Sequence, residues 1–200
     1  MSYSIIGTGS VGSTLASFFA KAGIEIGLAN TKGAEAVEPL AGKLGRSVVA
    51  KSLDDALKAD VIFFAVQFLQ FKNAASALSD WTGKIVIDVT NAFKLPPEVM
   101  EAELNGRLSS EVNAERVPGA KLVKAFNQLP MNVLSSPVPG GGRRVVFISS
   151  DDEDASAKVV RLAEELGFAP IEVGKIDKGG RLIQVGNALA YQDLIKFEKR

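Results

Sequence analysis

The sequence predicts an α/β protein built on a doubly wound, mostly parallel sheet. Three observations carry that expectation. Short apolar runs alternate with longer helical patterns nearly from end to end, one of those runs is apolar on both faces, and a G-x-G-x-x-G turn joins the first strand to the first helix. Residues 3–6 read as a strand and residues 9–22 as a helix with Leu15, Phe18, Phe19 and Ala22 on one face, closed by Gly23. A strand over 24–29, a helix over 34–44, a short strand over 47–50 and a helical turn over 53–57 follow. Residues 61–66 are apolar without alternation, as a central parallel strand covered on both sides should be. A helix over 68–78 and a strand over 84–89 complete the regular half.

The second half is less even. Pro96 and Pro97 pre-set the first turn of a helix that runs to about Leu104. Residues 110–116 read as a short helix, residues 122–125 as a strand leading into Phe126-Asn127, and the Ser-, Pro- and Gly-rich stretch 135–142 as loop. A strand over 144–148 precedes a helix over 151–166, whose first turn is acidic and whose end is marked by Gly167; residues 169–173 form a last strand. Residues 182–197 are expected to form an amphipathic helix, with Leu182, Val185, Leu189 and Ile195 near one stripe.

Composition narrows the chemistry. Lys and Arg total 23 and so do Asp and Glu, leaving a formal net charge of zero over 200 residues. A nucleic acid is not expected as partner, because neutralising phosphates requires a basic surplus. There is no polybasic or long apolar segment to engage a membrane and no basic leader ahead of Tyr3, so a cytoplasmic location is expected. The chain has no cysteine and no histidine. Thiol nucleophiles, thiolate or imidazole metal sites and imidazole proton shuttles are therefore excluded, and neither a metal ligand set nor a catalytic acid or base is assigned.

The motif Gly7-Thr8-Gly9-Ser10-Val11-Gly12 sits where its mechanism requires, after a strand and at the opening of a helix. Gly7 permits the tight turn, Gly9 lets the backbone approach a pyrophosphate, and Gly12 lets helix and sheet pack closely. The amides of the first helical turn then point at the anion. A dinucleotide-binding, Rossmann-like fold over residues 1–200 is the expectation, with 177–200 a C-terminal helix contributing to an acceptor site or a dimer. The second strand of an NAD site usually ends in an acid about 20 residues on, to bind the ribose. This chain has Asn30, Thr31 and Lys32 there, two small polar residues and a cation that suit a 2′-phosphate, so NADP is favoured over NAD.

Three later strands end in polar loops: Ala65-Val66-Gln67-Phe68, Thr90-Asn91-Ala92-Phe93 and Phe126-Asn127-Gln128-Leu129-Pro130. Singly, each Asn or Gln is more plainly a turn former or helix cap. Together they surround the crevice where ligands bind in open α/β sheets, and none titrates near neutral pH, which suits hydride transfer between stacked rings. Asn91, Ala92 and Asn127 are accordingly counted with the cofactor-binding residues.

The Gly7–Gly12 turn with its helix, the Asn30-Thr31-Lys32 position, the stretch Val123-Lys124-Ala125-Phe126-Asn127 and Gly180-Arg181-Leu182 resemble the NADPH-dependent deazaflavin (coenzyme F420) reductase family. The NADPH domains of membrane metalloreductases share the Lys-Ala-Phe-Asn stretch. The resemblance implies that Thr8, Ser10 and Val11 join the phosphate turn, that Ala65, Val66 and Gln67 flank the riboses, and that Asn127, Gln128 and Leu129 wall the nicotinamide. It further implies a homodimer and a deazaflavin stacked on the nicotinamide. The family usually carries arginines where this chain has Asn30, Thr31 and Lys32. The expected function is an oxidoreductase passing hydride between NADP(H) and a flavin-like or deazaflavin acceptor, a small molecule; the alternative is an NADP(H)-binding sensor without turnover.

Overall fold

The computed structural model describes residues 1–197. β1 (Tyr3–Ile6), β2 (Ile26–Ala29), β3 (Val48–Ala50), β4 (Val61–Phe64), β5 (Ile85–Asp88) and β6 (Lys121–Ala125) are mutually parallel where they pair. β7 (Arg143–Ser150) runs antiparallel to β6 and parallel to β8 (Ala169–Glu172). The order β3-β2-β1-β4-β5-β6-β7-β8 is doubly wound, and β9 (Ile195–Lys196) pairs antiparallel with the first residues of β7. The fold is thus the expected Rossmann-like α/β sheet. Among the described residues no helix is long and apolar enough to cross a membrane.

Alternation along the strands divides the core in two. Ile5, Leu28, Phe63, Ile87, Val123 and Ala125 face one layer, which α1 (Ser10–Ala22), α2 (Glu38–Leu44) and α8 (Glu153–Glu165) help to cover. Ile6, Ile62, Phe64, Val86 and Leu122 face the other, with Phe71 of α4 (Phe68–Ala75) and Trp81. The remaining helices are short: α3 (Leu53–Ala56), α5 (Pro97–Leu104), α6 (Ser109–Glu115), α7 (Met131–Leu134) and α9 (Arg181–Ile183). Aromatic rings run across the first layer. Tyr3 meets Phe19 at 5.6 Å between centroids, Phe19 meets Phe63 edge-on at 5.6 Å, Phe63 meets Phe126 at 6.0 Å, and Phe126 meets Phe168 at 5.6 Å. Edge-on and tilted pairs set each ring's positive rim against its neighbour's negative face. On α8 the expected dipole logic holds: Asp152 caps the first turn through Ala155 N–H, and that bond, helped by Lys121, holds its carboxyl below the usual range.

The C-terminal expectation is corrected. Instead of a helix over 182–197, α9 stops at Ile183, where Gln184 leaves helical geometry. The chain then turns at Gly186, with φ of +90°, and at Tyr191, with φ of +64°, before ending in β9. The apolar stripe was out of phase with the packing: Ile183 is the buried residue, while Leu182 lies largely in solvent. Neighbouring strands outbid a weak helix. Leu194 O accepts from Val145 N–H at 2.8 Å, and the buried Arg144 guanidinium holds Asp193, with Nε donating to Oδ1 at 2.7 Å. Residues 198–200 of the segment 177–200, expected to contribute to an acceptor site or a dimer, lie outside the described residues. A π-turn over Ile176–Gly180, absent from the sequence reading, precedes α9.

Phe63, fully buried between Phe19 and Phe126, is expected to anchor this core. Phe63→Ala should lose about 3–5 kcal/mol and Phe63→Leu clearly less, as read by urea unfolding.

Candidate functional site

The carboxyl ends of β1 and β4 meet where the chain reverses its direction of travel across the sheet, and that junction organises the site. Gly7 has φ of +117°, and a Cβ on it would lie 2.2 Å from Ala65 O. A Cβ on Gly12 would lie 1.8 Å from Gly7 O. These two glycines therefore serve the packing of turn, helix and strand. Gly9 differs: a Cβ there would meet no atom within 4 Å. It is the N-cap of α1, without a side-chain cap and with no acid in the first turn, so the amides of Ser10, Val11 and Gly12 form an open cradle for an anion.

Beside the cradle, Asn30 Nδ2 donates to Thr8 Oγ1 at 3.1 Å while Asn30 Oδ1 accepts from Lys32 N–H at 2.8 Å. Asn30 thereby locks the two turns together and leaves Thr31 and Lys32 exposed at the rim. On the other half of the sheet, Val11, Val66, Gln67, Thr90, Asn91 and Phe93 bound a cleft of about 460 Å³. Ala65 is buried and contributes its carbonyl to the Gly7 contact. Ala92 packs instead against Phe68, Leu104 and Val112 and does not line the cleft.

Three neighbours at the end of β6 take three directions. Phe126 adopts a left-handed backbone, with φ of +58°, and its ring is buried between Phe63 and Phe168. Asn127 Nδ2 donates to Asn91 Oδ1 at 3.1 Å and to Ile183 O at 2.9 Å, and Asn91 Nδ2 donates to Asn127 O at 2.9 Å. Because a carbonyl only accepts, Ile183 fixes which end of the Asn127 amide is nitrogen. Among the described residues no partner reaches the buried Asn127 Oδ1. The Gln128 side chain is committed elsewhere, with Nε2 donating to Val145 O at 2.9 Å and Oε1 accepting from Phe147 N–H at 3.2 Å. Leu129 is part of the apolar core. Of the three residues expected to wall a nicotinamide, only Asn127 is bonded to a residue of the cleft, Asn91.

The sequence reading missed a buried polar cluster beneath this loop. Asp88 and Lys124 stand opposite each other in register at the ends of β5 and β6, and Lys124 Nζ lies 3.0 Å from Asp88 Oδ2. Lys124 Nζ also donates to Thr90 O. Thr90 donates its N–H and Oγ1–H to Asp88 Oδ1 at 2.9 and 2.7 Å, and Asn113 Nδ2 reaches Asp88 Oδ2 and Thr90 Oγ1, each at 3.1 Å. Burial pushes the Lys124 ammonium below its usual range, and Asp88 opposes the shift. A signal was present: Asp88 follows Val86 and Lys124 follows Leu122 in the same period-two phase, so both interrupt the same apolar face.

Residues 2–92 match the model of the family described as NADP oxidoreductase, coenzyme F420-dependent. A hypothetical protein from Sinorhizobium meliloti shares the fold with a TM-score of 0.91 and 41% identity, the alignment covering 98% of this chain and 96% of that one. A putative F420-dependent NADP reductase from Arthrobacter superposes with a TM-score of 0.72 at 24% identity, over 88% of this chain and 86% of that one. Metalloreductase STEAP3 of Rattus norvegicus is 31% identical over 117 residues, which is 58% of this chain and 23% of that protein. The chain thus matches about a quarter of that curated relative.

The glycine geometry separates binding from folding. Gly9→Asp should keep a wild-type melting temperature and lose NADPH affinity at least a hundredfold by calorimetric titration, because it places a carboxylate in the anion cradle. Gly12→Ala should instead lower the melting temperature, since its Cβ collides with backbone.

Proposed function

We propose that the chain, whose residues 2–92 match the coenzyme F420-dependent NADP oxidoreductase family, passes hydride between NADP(H) and a small planar acceptor of flavin or deazaflavin type. The observation that carries the reading is the pairing of an open anion cradle at Gly9 with a buried, unpartnered Asn127 Oδ1 some way along the same row of strand ends. A dinucleotide laid across the switch point needs both, one for its pyrophosphate and one for a polar group on its far base. The residues present fit that group.

In this reading the Ser10, Val11 and Gly12 amides hold the pyrophosphate, while Thr8 and Asn30 shape the adenosine side. Lys32 and Thr31 meet the 2′-phosphate, and Val66 and Gln67 flank the riboses. Asn127 Oδ1 accepts an N–H of the nicotinamide carboxamide and so fixes which face of the ring is presented. When bound, the cofactor supplies the hydride and its two electrons. The protein supplies orientation and a dry wall, and no side chain need gain or lose a proton in that step. A homodimer, in which the exposed Tyr191, Leu194 and Phe197 of the C-terminal segment are covered, belongs to the same proposal.

The direct test mixes protein and NADPH with flavins and deazaflavins and follows the nicotinamide absorbance. Multiple-turnover oxidation supports the reading; tight NADPH binding with no turnover on any ring acceptor would favour a sensor instead. Lys32→Glu should weaken NADPH by roughly tenfold or more and leave NADH nearly unchanged, as measured by parallel titrations. Equal losses for both nucleotides would place 2′-phosphate recognition elsewhere.

A further inference from the structure

We propose that Phe93 and Lys94 form the seat of the electron acceptor, and that the seat selects a planar ring bearing an anionic group. The inference deepens the oxidoreductase reading and rests on it. Phe93 lines the cleft on the half of the sheet that holds the second nucleotide of a dinucleotide, yet the residue is 48% exposed. Leu69, also lining the cleft, is 40% exposed. A half-exposed aromatic ring beside a ligand cleft offers a surface on which a flat ring can stack.

The loop is built to hold it there. Ala92 and Leu95 both pack against the Phe68, Leu104 and Val112 cluster, so the two residues between them are anchored on either side. Lys94 has φ of +57°, a left-handed backbone that a lysine adopts only when its surroundings impose it. Its Nζ lies 5.2 Å from the centre of the Phe93 ring, and among the described residues no carboxylate pairs with it. The seat therefore offers a flat apolar surface with a positive charge at hand. A flat ring stacks on Phe93, and an anionic group attached to that ring meets Lys94. A small aliphatic carbonyl offers neither.

The test uses the full chain and two probes with one ring system, riboflavin and its phosphorylated form FMN. NADP⁺ affinity is measured first, for the unmodified protein and for both variants. FMN and riboflavin are then titrated into the NADP⁺-loaded protein and followed by flavin fluorescence. Phe93→Ala should weaken both flavins about tenfold. Lys94→Gln should weaken FMN by a similar factor and leave riboflavin unchanged, with NADP⁺ affinity unaltered in either variant. Failure of the loaded protein to bind FMN, FMN affinity indifferent to both substitutions, or equal losses for FMN and riboflavin in Lys94→Gln would each overturn the seat while leaving the cofactor reading standing. Failure of the unmodified protein to bind NADP⁺ would overturn both.

Discussion

Two opposite charges facing each other across β5 and β6, with no access to water, are the constraint on which the Asn91 and Asn127 end of the candidate site depends. Removing a charge from water costs several kcal/mol even after relaxation, and only close, fully hydrogen-bonded pairing offsets it. Asp88 and Lys124 reach that condition by recruiting their neighbours. Thr90 spends its N–H, hydroxyl and carbonyl on the pair, and Asn113 brings α6 to it. Since Thr90 is thereby immobilised, the next residue, Asn91, is fixed as well, and through Asn91 the amide of Asn127. The polar group that orients a nicotinamide in the proposed function is thus held by a chain of hydrogen bonds that begins in a salt bridge. Arg116 extends the same network outward, from Asn113 to Glu103 and over the ring of Phe68.

The opposite layer contributes a different kind of rigidity. A left-handed backbone at a bulky residue costs about 1–3 kcal/mol. At Phe126 that cost is offset by burying the ring between Phe63 and Phe168, a gain of similar size. The aromatic row thereby drives a kink that lets consecutive residues serve the core, the cleft and the next strand. Gln128 completes the arrangement by offering its side-chain amide to Val145 O and Phe147 N, as a further residue of β6 would have offered its peptide.

What the sequence disclosed follows from what is local. The glycine turn, the strand-helix alternation and the acidic start of α8 depend on neighbours within a few residues, and all reappear in the structure. The bridge from Asn30 to Thr8, 22 residues away, was not foreseen. The Asp88–Lys124 pair lies 36 residues apart, and only the register of two parallel strands reveals that the two charges cancel. The family resemblance implied that Gln128 and Leu129 face the ligand; the left-handed turn at Phe126, set by long-range ring packing, leaves both buried. Residues 182–197 failed for the same reason, because β7 and Gln128 claim their backbone groups before a helix can.

The bond from Asn127 to Ile183 O has a temporal consequence. A chain emerging from the ribosome has made β1, α1 and β4, and with them the anion cradle, long before residue 183 appears. Until then the Asn127 amide lacks the acceptor that decides which way it points. The glycine turn at residues 7–12 is thus complete early in the chain, whereas the orientation of the Asn127 amide waits for the segment after β8. The order of synthesis therefore sets the order in which the two halves of the candidate site take their final form.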